Sequence, residues 1–89
     1  MKETRISLNE TNFTNLCKRG FFPHQSAGHG RTDVYLTKAD MKELMTGKII
    51  EKNIDEEVIK IALQDIGSDL ITEIVKRSPI YSDIYYANL

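Results

Sequence analysis

The chain has one cysteine, Cys17, so no disulfide can close within it. It has no long apolar run: its longest apolar stretches are three or four residues, against the roughly 20 that a membrane-spanning helix needs. Neither sign of charge dominates, and a net charge of −1 gives no general pull toward nucleic acid or an acidic membrane. The opening MKETRISLNE lacks the apolar stretch of a signal peptide, and a lone thiol suits a reducing compartment. The expected location is therefore the cytoplasm. Histidine and cysteine are too few, and too irregularly spaced, to read as a structural metal site.

Eighty-nine residues make one domain, 1–89. A domain of this size buries only about 60–65% of the surface its unfolded chain exposes, so its core is thin. A protein partner, either a host protein or a second copy giving a homodimer, is the expected source of further stability. The 40% hydrophobic and 28% charged residues are those of a folded globular chain. The charge is uneven along it. Lys2, Arg5, Lys18, Arg19 and Arg31 outnumber Glu3 and Glu10 in the first 31 residues, a balance of +3, and the remainder carries −4. An acidic face for a basic partner is one reading of that split, and ordinary surface variation is the other.

What the sequence does contain is an echo at a spacing of 28. Ile6-x-Leu8 corresponds to Val34-x-Leu36, the pattern of a half-buried strand. Asn9 and Thr37 then stand where a helix N-cap belongs, with Asp40 placed to complete a capping box on Thr37. Phe13, Leu16 and Cys17 follow at helical spacing, and Met41, Leu44 and Met45 repeat it. Gly20 and Gly47 stop the two helices, and Phe21-Phe22 and Ile49-Ile50 resume as short strands. The predicted class is α+β: a small sheet of short strands with three helices, built from a repeated strand–helix–strand unit. The units run over about 4–23 and 32–52, joined by a loop at 23–31 and followed by a C-terminal unit at 54–89.

Residues 55–63 read two ways. Ile59, Ile61 and Leu63 alternate as a strand, whereas Val58, Ile59, Ala62, Leu63 and Ile66 also form a helical stripe behind Asp55. The strand is favoured because Ile61-x-Leu63 matches the openings of the two units. A helix over 65–77 carries Leu70, Ile71, Ile74 and Val75 and ends before Pro79.

The stretches Ile6-Ser7-Leu8-Asn9-Glu10-Thr11-Asn12-Phe13, Thr46-Gly47-Lys48-Ile49-Ile50-Glu51-Lys52 and Ile61-Ala62-Leu63-Gln64-Asp65-Ile66-Gly67 resemble segments of small bacteriophage and prophage proteins of unknown function. The resemblance implies a phage or mobile-element origin and supports the strand at 59–63. It brings no activity, cofactor or catalytic residue with it.

Five groups of residues are candidates for function. The loop with His24, Gly28, His29, Gly30 and Arg31 could hold an anion or nucleotide between backbone N–H groups and the guanidinium. It lacks a phosphate-loop spacing, and a connecting loop explains it as well. Cys17, His24 and His29 offer only a partial zinc set, and Cys17 sits on an apolar helix face where a thiol is core filling. In the tail, Tyr81, Ile84, Tyr85 and Tyr86 offer the aromatic area that interfaces favour, or else fold back to complete the core. Lys18, Arg19 and Arg31 near Phe21 and Phe22 hint at nucleic acid, but the cluster is small and the chain is not basic. Asp55, Glu56 and Glu57 lack a calcium-loop pattern and read as a solvated turn. The expectation is an intracellular protein-interaction module with no catalytic residues, cofactor, metal, membrane or nucleic-acid partner. In a phage setting it would be an accessory or inhibitor of a host protein. A small-ligand binder using the 23–31 loop is the alternative, and a nucleic-acid accessory protein the second.

Overall fold

The computed structural model describes residues 2–26 and 30–87. In chain order they form β1 (Lys2–Leu8), α1 (Glu10–Arg19), β2 (Phe21–Ser26), β3 (Gly30–Tyr35), α2 (Lys38–Met45), β4 (Ile50–Ile54), β5 (Glu57–Leu63), α3 (Ser68–Lys76) and α4 (Ser82–Ala87). The class is α+β, and the strand–helix–strand order occurs twice before β5. Among the described residues no helix is long and apolar enough to cross a membrane.

The helix boundaries lie where their capping groups stand. Asn9 accepts from the Asn12 N–H at 2.8 Å to open α1, and Gly20 closes it in the left-handed region at φ 80°. Thr37 and Asp40 exchange hydrogen bonds at 3.1 and 3.0 Å, the reciprocal capping box that opens α2. The helix predicted over 65–77 begins only at Ser68. Gly67 precedes it in extended backbone and offers no side-chain cap, leaving Ile66 outside.

The single small sheet is corrected to two. β1 and β4 flank β5 in the order β1-β5-β4, parallel and antiparallel respectively, while β2 and β3 pair only with each other. Connection length decides this split. Three residues separate Ser26 from Gly30 in the ladder, so the second strand of one unit and the first of the next close as a hairpin. That pairing also replaces most of the expected 23–31 loop with strand. Pro23 is tolerated there because a two-stranded ribbon leaves one edge of each strand unpaired. Residues 55–63 form a turn and a strand. Asp55 and Glu56 both take positive φ, 49° and 63°, which suits a two-residue connection between twisted strands.

One core joins the two sheets. Ile50, Ile59 and Ile61 project from the larger sheet, and Phe13, Leu16 and Cys17 meet them from α1. Phe22, Val34 and Leu36 enter from the hairpin, Met41 and Leu44 from α2, and Val75 from α3. The tail supplies a fourth helix beyond the three expected. Tyr81, only 1% exposed, donates its hydroxyl to the carbonyl of Leu36 at 2.8 Å and lies 3.2 Å from that of Gly20. Ser78 anchors the same turn: its hydroxyl donates to the Cys17 carbonyl and accepts from the N–H groups of Ile80 and Tyr81.

Candidate functional site

The hairpin presents two unlike faces, because side chains alternate along a strand. Phe22 and Val34 pair on the inner face and are buried. Phe21 and Tyr35 pair on the outer face with ring centroids 5.1 Å apart at an angle of 42°. Tyr35 is 63% exposed although its ring is packed on Phe21. Pro23 stands exposed next along that face, and Arg31 lies 3.4 Å from Asp33 across from Gln25. The result is a packed aromatic pair on the outer face of the hairpin, with Pro23 and Asp33 next along that face and Arg31 one pair further out.

The inner side of the same arm holds polar groups. Glu57, at the start of β5, is 3% exposed and accepts hydrogen bonds from the Thr4 hydroxyl and, at 3.2 Å, from His24 Nε2. This cluster draws one residue from each of β1, β2 and β5 and so ties the hairpin to the larger sheet. Next to it lies a cavity of about 220 Å³ with Leu8 and Phe22 in its floor and Asn12, Asn15, Arg19 and His24 around it. Asn12, Asn15 and Arg19 share one stripe of α1 at helical spacing.

A second cavity, about 330 Å³, runs between α1 and α3 over Cys17, Leu70 and Ile74. Burial pushes the Cys17 thiol up to about 12, which leaves it protonated and unreactive at neutral pH. Cys17 and His24 line different cavities, and His29 lies outside the described residues, as does Gly28. Among the described residues no group of three or more His, Cys, Asp or Glu could hold a metal ion.

No family model, curated protein or solved structure matches this chain. The site therefore rests on its own geometry.

That geometry redistributes the residues singled out in the sequence. His24 and Arg31 belong to opposite faces of the hairpin, so these two side chains do not converge on one ligand. Gly30 opens β3 at φ 73° with nothing within 4 Å of a Cβ built on it, so the backbone angle alone favours glycine there. In the tail, Tyr81 and Ile84 are buried and have no face to offer a partner. Tyr85 is half-buried, edge-on to Tyr86 at 5.2 Å and capped by Lys76 at 5.6 Å, while Tyr86 is 59% exposed. Phe22 is core, which removes it from any base-stacking surface, whereas Phe21 faces outward. Tyr35, Glu57 and the polar stripe of α1 were not evident as a site. Tyr35 sits in an apolar alternation that gives no hint of its exposure, and Glu57, expected with Asp55 and Glu56 in a solvated turn, instead opens β5 and is buried against Thr4 and His24.

Proposed function

We propose that this chain is a protein-interaction module that holds its partner on the outer face of the β2–β3 hairpin. The observation that carries the reading is Tyr35, mostly exposed yet packed against Phe21, with Pro23 and Asp33 the next pair along the same face and Arg31 beyond them. Tyrosine is enriched in interface hot spots, and its large, stiff side chain gains contact area at little entropic cost. The groups that could do chemistry are occupied elsewhere: Cys17 is buried and protonated, and His24 is engaged with Glu57. A phage origin, as the sequence resemblance implies, would make the partner a host protein and the module an accessory or inhibitor in the bacterial cytoplasm.

The test is a tagged pull-down from bacterial lysate with the wild type, Tyr35→Ser and Tyr86→Ser. One stoichiometric protein, retained by Tyr86→Ser and lost by Tyr35→Ser, is the expected result. Equal retention by all three variants, or an eluate containing only nucleic acid whose binding falls steeply with salt, would overturn it.

A second reading has its own observation. Arg19 makes no ion pair among the described residues and stands with Asn12 and Asn15 over the apolar floor of the smaller cavity. That arrangement suits a small carboxylate with an apolar body. Benzoate added to the labelled protein should then shift the Asn12 and Asn15 side-chain resonances, and it should leave them unmoved in Arg19→Gln.

A further inference from the structure

We infer that two copies of this chain join through β1, edge to edge and antiparallel, about a two-fold axis at Thr4. This inference is independent of the hairpin-face reading. β1 is an outer strand of its sheet, with β5 on one side and, among the described residues, no strand on the other. The Leu8 carbonyl accepts from the Gln64 N–H at 2.9 Å, so Leu8 turns its backbone groups toward β5. Backbone direction alternates along a strand. Glu3, Arg5 and Ser7 therefore turn their N–H and C=O groups outward, an unpaired row that can accept another strand.

Charge selects the register. The row carries Glu3 and Arg5 on the exposed face of the sheet, where their side chains lie 3.4 Å apart. A two-fold axis at Thr4 sets Glu3 of each copy opposite Arg5 of the other, in a pair whose outward backbone groups also meet. Thr4 then faces Thr4 across the axis. Opposite charges and threonine pairs are favourable cross-strand neighbours. An axis at Glu3 or at Arg5 brings like charges face to face, and an axis at Ile6 sets Arg5 against Ser7, so neither alternative recovers the double ion pair. Inside one copy Arg5 already stands across from Lys60, with Glu3 the carboxylate between them at 3.3 Å from Lys60 Nζ. In the pair each Glu3 lies between its own Lys60 and Arg5 of the second copy. The two three-stranded sheets become one of six strands.

The competing edge is β3, where Arg31-Thr32-Asp33 carries the same arrangement with the signs reversed. Light scattering on the full chain at up to about 200 µM, where even a weak dimer is populated, should give twice the 10.2 kDa of one chain. Arg5→Glu places glutamate against glutamate and should raise the dimer dissociation constant by about tenfold or more. Glu3→Arg/Arg5→Glu restores the reciprocal pairs and should recover the dimer, while Arg31→Glu should leave it unchanged. Circular dichroism on each variant establishes that it is folded. A wild type that stays monomeric, a dimer indifferent to Arg5→Glu, or one lost only in Arg31→Glu would overturn the inference.

Discussion

The Tyr81 hydroxyl donates to the Leu36 carbonyl at 2.8 Å, joining residues 45 positions apart. Leu36 directly follows β3 and Gly20 closes α1, and the Leu36 N–H reaches the Gly20 carbonyl at 3.4 Å. One buried phenol thus sits where the two repeated units meet. Burial also raises its pKa, with Cys17 and Asp40 adding to the shift.

Tyr81→Phe keeps the ring and removes the donor, leaving buried carbonyls short of a partner. Urea denaturation should show a loss of about 1–3 kcal/mol. Tyr81→Ala adds a cavity and should cost about 3–5 kcal/mol. A loss in the phenylalanine variant too small to measure would mean that water takes over the bond.

The cluster of Thr4, His24 and Glu57 makes a separate prediction about how the hairpin is held. His24→Ala and Glu57→Gln should each destabilise by about 1–3 kcal/mol. Their double mutant should cost less than the sum, with a coupling of at least about 0.5 kcal/mol by a thermodynamic cycle. Strict additivity would show that the two sheets are held by packing alone.

Asp40 sets an acid limit on stability. Burial pushes its carboxyl up, but the Lys52 ammonium and the Thr37 donors outweigh this and hold it below the usual range. A depressed folded pKa stabilises the protein above the unfolded value, near pH ~4, and that stability is lost as pH falls through the folded value. Asp40→Asn should therefore be less stable at neutral pH and should lose less than the wild type between neutrality and pH ~3. Denaturation midpoints across that range measure both.

The β4–β5 turn is strained by its own residues. Glu56 holds φ 63°, a region that costs a side chain about 1–2 kcal/mol and glycine very little. Glu56→Gly should raise stability by about 0.5–1 kcal/mol after its added unfolded-state entropy is subtracted. Asp55 needs no such change, since a short polar side chain tolerates this region better. An unchanged melting temperature would argue against strain at this turn.

Much of the local structure was legible in the residues, though not the start of α3, the short helix α4 or the strand content of 23–31. The caps at Asn9 and Thr37, the stop at Gly20, the apolar faces of α1 and α2 and the α+β class follow from interactions within a few positions. Strand periodicity in Ile59, Ile61 and Leu63 likewise identifies β5, because burying one sheet face requires alternation. Pairing partners are another matter. That β1 lies against β5 rather than β2, that Glu57 meets His24, and that the tail's Tyr81 is core while Tyr35 is exposed depend on loop closure and on which faces can be covered together. Those choices are made by the whole chain at once. A tyrosine carries the same side chain whether it caps a core or faces solvent, and only the fold distinguishes Tyr81 from Tyr35.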